Sequence, residues 1–326
     1  MKSTNSSTML VMGAGGAIGS ATVAQAVEAG FRVHATIRPQ GNKSRLPLLQ
    51  GSVIHEVDLT DVESLRLLLV KAQPAVVVMA AVPPSHPGPT RTERELHLQH
   101  ILTMQFSLFE ALEQSECQAP VIMIGSSTVY GAEMVRDPAA PIQPQNMRGV
   151  AKAAEWILAQ QLAAEQNRPL LEMRVFCAYG RWMRRDRLLT KALQAALTGN
   201  QVRLVAMPLP RDWIHQEDIG RAVMSAVPTI GLSSTPRVIN LCSGTVVDCH
   251  AVISRLESLF GRSLVDSYPF PGGDRMGHVL AGVPPTERDL PGWRIRVDLD
   301  SGLRDLWRWA LSEEGRRYLL EEGNDG

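Results

Sequence analysis

The sequence predicts an α/β protein in which a doubly wound parallel sheet is followed by a smaller C-terminal lobe. Two observations support this fold class. Short, continuously apolar runs alternate with longer amphipathic stretches through the first half of the 326 residues, and such alternation is typical of parallel strands covered by helices on both faces. The pattern becomes less regular in the second half, which indicates a separate lobe.

The same patterns locate the individual elements. Strands are predicted at Met9–Met12, Val33–Ile37, Val53–Val57, Ala75–Ala80, Val121–Ile124 and Leu170–Val175, and later at Val202–Val205 and Val238–Leu241. Helices are predicted at Ile18–Ala29, Val62–Ala72, Leu96–Glu113 and Val150–Ala164, and later at Leu188–Leu197, Ile219–Val227, His250–Phe260 and Leu303–Ser312. Asp218 is expected to cap the helix that begins at Ile219.

The overall composition narrows the possible classes of function. Lys plus Arg and Asp plus Glu both number 33, so the formal net charge is zero, and we expect no nucleic-acid partner because such a partner needs a basic surface. No apolar run reaches the roughly 18 residues of a membrane span, so we expect no membrane association. The four cysteines show no metal-ligand spacing. We therefore expect reduced thiols, no metal site and a cytoplasmic location.

A glycine motif lies at the first junction between a strand and a helix. The segment MLVMGAGGAIGS places Gly13, Gly16 and Gly19 there, with Ala17 and Ile18 between the last two. The first glycine permits a tight turn, the second lets the backbone approach a pyrophosphate, and the third allows close helix–strand packing. The helix N-terminus offers free N–H groups to the phosphates. In this position the motif predicts a Rossmann-type dinucleotide site.

The end of the second strand indicates which dinucleotide is bound. An NAD site generally places an acidic residue there, to accept hydrogen bonds from the ribose hydroxyls. The segment RVHATIRPQGNKSR contains no Asp or Glu and places Arg38 just after the strand. A guanidinium suits the 2′-phosphate of NADP, although Arg38 is alternatively a solvated loop residue. We therefore expect NADP(H) in preference to NAD(H).

Several segments resemble the extended short-chain dehydrogenase/reductase family, of the NAD-dependent epimerase/dehydratase type. They are GAGGAIG, EVDLTDVESL, VVVMAAVPP, IGSSTVYG, RVFCAYG and RDWIHQEDIGRAV. The resemblance implies a dinucleotide-binding domain over residues 1–175. It implies that residues 176–326 form mainly the substrate lobe, with segments near 202–218 and 237–242 returning to the main domain.

The resemblance also implies roles for individual residues at the cofactor. Asp58 and Leu59 are expected to lie at the adenine, and Ala80 and Ala81 beneath the dinucleotide. Lys152 is expected to bind the nicotinamide ribose and to assist catalysis. A solvated helix lysine is the alternative interpretation of Lys152.

A second set of residues is expected at the substrate. Ser126 matches the family's catalytic serine, and Ser127 and Tyr179 are expected to bind the substrate. Arg211 matches the position that contacts a nucleotide-sugar diphosphate in many relatives. The alternative interpretation is that Arg211 pairs only with Asp212 or another nearby carboxylate.

One position departs from the family pattern. Relatives carry a tyrosine four residues before the lysine, whereas this chain carries Arg148 four residues before Lys152. A guanidinium stays protonated and cannot exchange a proton with the substrate, but it can hold an oxyanion, a carboxylate or a phosphate. Tyr130, four residues after Ser126, is either a substitute acid or a packing residue.

Three functions are compatible with these observations. The first is an NADPH-dependent reductase that reduces a ketone or aldehyde of a small molecule, or oxidises the corresponding alcohol, and it is our expectation from the residues. The second is a cofactor-binding sensor or assembly partner without hydride chemistry. The third is a nucleotide-sugar enzyme of the epimerase/dehydratase type. The resemblance to the family also implies a homodimer formed through a four-helix interface.

Overall fold

The strands of the protein are given by a computed structural model that describes residues 7–39, 41, 49–83, 88, 90–131, 135–205, 210–268 and 281–320. They are β1 Thr8–Met12, β2 Arg32–Ile37, β3 Ser52–Glu56, β4 Val76–Met79, β5 Val121–Ser126, β6 Val135–Arg136, β7 Leu170–Val175, β8 Cys177–Tyr179, β9 Val202–Val205, β10 Pro210–His215, β11 Arg237–Leu241, β12 Val246–Asp248, β13 Val265–Tyr268 and β14 Ala281–Gly282. The predicted strands are confirmed, with ends that differ by one or two residues.

The helices follow the amphipathic stretches of the sequence. They are α1 Ala17–Glu28, α2 Val62–Ala72, α3 Arg91–Gln114, α4 Met147–Glu165, α5 Leu188–Thr198, α6 Gln216–Ile230, α7 Cys249–Phe260, α8 Leu299–Leu311 and α9 Glu313–Leu320. None of the helices in the described ranges is long and apolar enough to cross a membrane.

Seven parallel strands form the main sheet in the order β11-β7-β5-β4-β1-β2-β3. The chain proceeds from β1 outward to β3 and then returns to place β4 on the other side of β1. The order therefore reverses between β1 and β4, and ligands of open α/β sheets bind at the carboxyl ends of the strands beside such a reversal. The predicted doubly wound α/β fold is confirmed.

Helices cover both faces of the main sheet because its central strands are apolar on both sides. Along β1, Met9 and Val11 belong to a buried cluster that includes residues of α1 and α6. Leu10 and Met12 belong to a second cluster, which includes residues of α2, α3 and α4. Side chains alternate between the two faces of a strand, so a continuous apolar run can serve both clusters.

Four helices (α3, α4, α6 and α8) begin at least three residues earlier than their apolar patterns predict, because polar caps start them. Thr90 and Glu93 form a capping box, so α3 starts at Arg91 rather than Leu96. His215 accepts from the Glu217 N–H at 3.4 Å and α6 starts at Gln216. The prediction that Asp218 caps this helix is wrong. Its buried carboxylate instead accepts from the backbone N–H groups of residues 296 and 297, at 2.9 and 3.1 Å.

The second lobe has a hydrophobic cluster of its own. The cluster includes residues of α5, α7, α8 and α9 together with Tyr179, Trp182 and Trp213. Here β9 pairs with β13, and β10 lies between β8 and β12. In contrast, β11 pairs with β7 and forms one edge of the main sheet. The chain therefore passes between the main sheet and the second lobe more than once.

Candidate active site

The glycine loop lies at the reversal point of the main sheet. Gly13 adopts a φ of +77°, and a Cβ on Gly13 would lie 2.5 Å from the Cα of Ala81, which follows β4. A Cβ on Gly19 would lie 2.3 Å from the carbonyl oxygen of Gly13. Side chains at these positions would fill the space where the loop, β4 and α1 meet. The structure therefore brings together the predicted glycines and Ala81.

The first turn of α1 presents backbone donors at this loop. Gly16 is its N-cap, and no side chain caps the helix. The first N–H groups of a helix have no partner inside it, so those of Ala17, Ile18 and Gly19 are available to an anion. Thr36 steadies the loop by accepting from the Gly13 N–H at 3.2 Å. This geometry fits the phosphates of a dinucleotide.

The residues predicted at the adenosine end lie beside β2 and β3. Arg38 is exposed just after β2. The Asp58 carboxylate accepts from the backbone and hydroxyl of Thr60 at 2.9 and 2.8 Å, so it also stabilises its own turn. Leu59 is buried among the residues of α2 and α3. Ala80, at the end of β4, donates its N–H to the carbonyl of Met12 at 3.0 Å.

The carboxyl end of β5 carries two hydroxyl groups in contact. The hydroxyls of Ser126 and Thr128 lie 2.9 Å apart. Ser127 is buried. The first turn of α4 packs on this segment, because a Cβ on Gly149 would lie 2.1 Å from the Thr128 carbonyl oxygen. Arg148, the neighbour of Gly149 in this first turn, therefore lies next to the serine segment.

Lys152 lies one turn further along α4 and points towards β5. Its ammonium lies 2.7 Å from the carboxylate of Glu155 and donates to the Ile124 carbonyl at 3.3 Å. Its side chain is 11% exposed. The structure thus places Lys152 beside the end of β5 that carries Ser126. The solvated-helix interpretation of Lys152 does not match this burial.

The guanidinium of Arg148 lies in a cationic environment. Burial lowers the pKa of Arg148, and the charges of Arg187 and Arg184 lower it further, while Asp186 acts in the opposite direction. Within the described ranges, this guanidinium forms no hydrogen bond and no ion pair. Its donors are therefore available to an anionic ligand.

Arg211 belongs to the same part of the molecule. The Cys177 thiol, whose pKa burial raises to about 12, lies in the field of both Arg211 and Arg187. Arg211 is 8% exposed and donates to the Pro210 carbonyl at 2.7 Å.

The alternative of a pair between Arg211 and Asp212 is not observed in the described part of the chain. The Asp212 carboxylate instead accepts from the backbone and hydroxyl of Ser243, both at 2.7 Å. It also accepts from the N–H groups of Gly244 and Gly282, at 3.0 and 3.2 Å. Asp212 therefore ties two loops to β10 instead of pairing with Arg211.

The structure places Tyr130 and Tyr179 in the interior. Tyr130 is 1% exposed, its hydroxyl donates to Asn240 at 2.7 Å, and the Arg174 guanidinium lies 4.9 Å from its ring centroid. Burial raises the pKa of Tyr130. Tyr179 is equally buried, packs edge-on against Trp213, and donates to a backbone carbonyl at 3.4 Å. These are the contacts of packing residues, and neither phenol contacts Ser126 or Lys152.

Sequence reasoning missed the buried acids behind Lys152. Glu155 is 3% exposed and its second oxygen accepts from Gln105 at 2.9 Å. Glu172, on β7, is paired with Arg174 at 2.7 Å, and burial raises its pKa to about 7. Two signals were present in the sequence: an acid three residues after Lys152, and charged residues within the apolar strand LLEMRV.

Comparison with known proteins agrees with this geometry. A family model described as the NAD dependent epimerase/dehydratase family matches residues 9–242. The chain is 24% identical to UDP-glucose 4-epimerase 4 of Oryza sativa subsp. japonica, over 94% of this chain and 90% of that protein.

Solved structures give the same result. The chain matches MoeE5 in complex with UDP-glucose and NAD with a TM-score of 0.78 and 25% identity, over 93% of this chain and 98% of that one. It shares its fold with a UDP-glucose 4-epimerase from Brucella ovis in complex with NAD, with a TM-score of 0.83, 21% identity, and coverage of 93% and 98%. With the family model matching most of the chain, the protein belongs to the NAD dependent epimerase/dehydratase family.

Proposed function

We propose that the protein binds a pyridine nucleotide and a nucleotide sugar, and that it catalyses a reversible oxidation at a sugar carbon, as epimerases and dehydratases do. One observation carries this proposal: the glycine loop, Ala81, Ser126 and Lys152 lie at the carboxyl ends of β1, β4 and β5, next to the reversal point of the sheet. Ligands of this fold class bind there. The relatives named as UDP-glucose 4-epimerases support the choice of substrate.

This proposal replaces the expected reduction of a ketone or aldehyde. The relatives are named as UDP-glucose 4-epimerases, and two structures of MoeE5 hold UDP-glucose and UDP-glucuronic acid. None of these names supports a simple ketoreductase. The alternative of an epimerase/dehydratase-type enzyme, which the sequence had left open, is therefore the better proposal.

The proposed coenzyme is NAD, with NADP also admitted. The neighbouring structures carry NAD, whereas β2 of this chain ends without a carboxylate and is followed by the exposed Arg38. A carboxylate at this position would repel a 2′-phosphate, and a guanidinium would attract it. We give NAD more weight because it is the coenzyme bound in these neighbouring structures.

The residues of the site have distinct roles in this proposal. A bound nicotinamide would supply the acceptor and donor of the hydride. Lys152 donates to the nicotinamide ribose, and the hydroxyls of Ser126 and Thr128 bond to the reacting oxygen. Arg148 stabilises the negative charge that develops on that oxygen. Arg211 holds the diphosphate through its guanidinium.

The site is proposed to work without the family's tyrosine. Three of the four tyrosines of the chain, Tyr130, Tyr179 and Tyr318, are buried and donate to protein groups. The side chain of Tyr268 lies outside the described residues. With Arg148 stabilising the alkoxide, the hydroxyl proton leaves through the Ser126–Thr128 pair to water.

A second candidate function is cofactor binding without hydride transfer. It is favoured by Arg148 in the position of the family's tyrosine, since an arginine cannot act as the proton acceptor at working pH. Such a protein would bind the dinucleotide in the same loop and would leave the nucleotide sugar unchanged.

The predicted homodimer is also retained as a proposal. Large apolar side chains are exposed on α3 and α4, the two helices of the expected four-helix interface: Leu96, Phe106, Val150 and Ile157. Phe106 and Ile157 are 54% and 58% exposed. A second copy of the chain would cover them.

Calorimetry followed by product analysis tests the proposed function. We expect the protein to bind NAD and, with NAD present, to convert UDP-glucose into a product that separates from it by chromatography. Lys152→Met should abolish turnover, while a substitution at the exposed Glu165 of the same helix should not. Binding of NAD without conversion of any nucleotide sugar would favour the second function. Failure to bind NAD or NADP would rule out both.

A further inference from the structure

A buried carboxylate lies directly behind Lys152. The side chain of Glu155 is 3% exposed, and one of its oxygens lies 2.7 Å from the Lys152 ammonium. Its other oxygen accepts from the amide of Gln105, on α3, at 2.9 Å. Gln105 is fully buried, so the carboxylate is held from two helices.

The contacts of Lys152 leave one donor for a ligand. An ammonium carries three N–H donors and no acceptor. One donor is directed to Glu155 and one to the Ile124 carbonyl of β5, at 2.7 and 3.3 Å. Two anchors on different elements restrict the rotamers of a flexible side chain. The conformational entropy of that side chain is then already lost before a ligand binds, and binding does not have to supply it. The third donor is therefore held in a defined direction.

We propose that Glu155 is a positioning residue, which holds the Lys152 ammonium for contact with the ribose of the bound dinucleotide. This inference rests on the proposed function, because that function gives Lys152 its contact with the ribose. Glu155 itself touches neither cofactor nor substrate and acts only through Lys152.

Protonation of Glu155 would release this hold. Burial raises the pKa of Glu155, and the charge of Lys152 and the hydrogen bond from Gln105 oppose that rise. The other charged groups on this side are Glu172 and Arg174 of β7, which pair with each other at 2.7 Å. As pH falls, Glu155 is protonated before an ordinary glutamate, the ion pair is lost, and dinucleotide binding weakens.

The central experiment measures NAD affinity by calorimetry between about pH 5 and about pH 8, a window above the ordinary range of a glutamate. We expect Glu155→Gln to weaken NAD binding about tenfold at the upper end, the effect of one hydrogen bond to a charged group. We also expect it to remove most of the pH dependence. Glu165→Gln, an exposed change on the same helix, is the matched control. The amide of Gln105 can rotate to accept from the new glutamine, so the variant is expected to fold.

A double-mutant cycle separates positioning from a general structural effect. Because Glu155 acts through Lys152, Glu155→Gln should not weaken NAD binding further in a Lys152→Met background. Additive losses would overturn the proposal. So would a Glu155→Gln variant that keeps the wild-type affinity and pH profile, since Glu172 or another group would then be responsible for the pH dependence.

A second variant keeps the test decisive if Glu155→Gln fails to fold. Gln105→Met removes a hydrogen bond that stabilises the charged carboxylate, so the midpoint of the pH dependence should move to higher pH. An unchanged midpoint would contradict the proposal. If wild-type protein binds no dinucleotide at any pH, both this inference and the proposed function are overturned. If wild type binds NAD but the losses in the double-mutant cycle are additive, this inference alone is overturned.

Discussion

Gly13 and Ala81 lie so close that a Cβ on the glycine would be 2.5 Å from the Cα of the alanine. Contacts this short do not occur between real side chains and backbone. The two residues come from loops that follow β1 and β4, the neighbouring strands between which the order of the sheet reverses. The close packing of these two loops therefore depends on the absence of a side chain at Gly13.

Replacing Gly13 with alanine should abolish dinucleotide binding and destabilise the fold. The positive φ of +77° alone costs about 1 kcal/mol for a residue with a Cβ, and the overlap with Ala81 adds to that cost. We expect a total loss of more than about 2 kcal/mol in the free energy of unfolding, measured by chemical denaturation. Gly199→Ala is the control, because Gly199 has a similar φ of +87° but open space around it. Equal losses for the two variants would contradict the argument.

Arg38 should control the affinity for NADP but not for NAD. We expect Arg38→Ala to weaken NADP binding about tenfold, because a charged hydrogen bond to the 2′-phosphate is lost. Binding of NAD, which lacks this phosphate, should stay within experimental error. Arg32→Ala, at the opposite end of β2, serves as the control in the same calorimetric titration. An equal loss for both dinucleotides would show that Arg38 only supports the loop.

Arg148 should affect turnover more than dinucleotide binding. We expect Arg148→Met to lower kcat by about 100-fold, the usual effect of removing one stabiliser of a developing oxyanion. The Kd of NAD should change little, since the dinucleotide contacts assigned here lie on the glycine loop and Lys152. Steady-state kinetics with UDP-glucose and NAD calorimetry provide the two measurements. A wild-type kcat would remove Arg148 from the mechanism, and Arg148→Lys tests whether charge alone is sufficient.

Glu172 should make the stability of the protein depend on pH. Its pKa rises from the ordinary 4.5 to about 7 on folding, chiefly through burial. A group whose pKa is raised by folding stabilises the folded state below its unfolded pKa, and this contribution is lost as pH rises through the folded pKa. As pH rises from about 4.5 to about 7, the free energy of unfolding of wild type should fall by up to about 3 kcal/mol relative to that of Glu172→Gln.

Urea denaturation at several pH values measures this effect of Glu172. The slopes of stability against pH are compared rather than the absolute values, because Glu172→Gln also removes the partner of Arg174. Glu110→Gln, an exposed change on α3, gives the reference slope. Parallel slopes for wild type and Glu172→Gln would contradict the prediction.

The proposed dimer should depend on the exposed apolar residues of α3 and α4. We expect Ile157→Glu or Phe106→Glu to convert the dimer to a monomer, because a buried unpaired carboxylate costs several kcal/mol at an interface. Light scattering coupled to size-exclusion chromatography measures the mass. Leu67→Glu is the control, since Leu67 of α2 is 54% exposed but lies outside the proposed interface. A monomeric wild type would end this proposal.

Much of the fold could be predicted because its signals are local. The strand and helix patterns have periods of about two and 3.6 residues, and the glycine motif lies within a short segment from the end of β1 into the first turn of α1. The starts of α3 and α6 were harder to predict, since caps such as Thr90 and His215 lie outside the apolar pattern. The role of Asp218 could not be predicted either, because its hydrogen-bond partners at residues 296 and 297 are far away in the chain.

The sequence by itself determined the fold class, the dinucleotide loop and the presence of an arginine four residues before Lys152. Only the tertiary structure decided which side chains surround them. It placed Tyr130 inside the protein, where it donates to Asn240, 110 residues away, and it placed Glu155 behind Lys152 with a partner from α3. The physical reason is that burial and counterions depend on contacts between distant segments, whereas local periodicity records only which face of each element is buried.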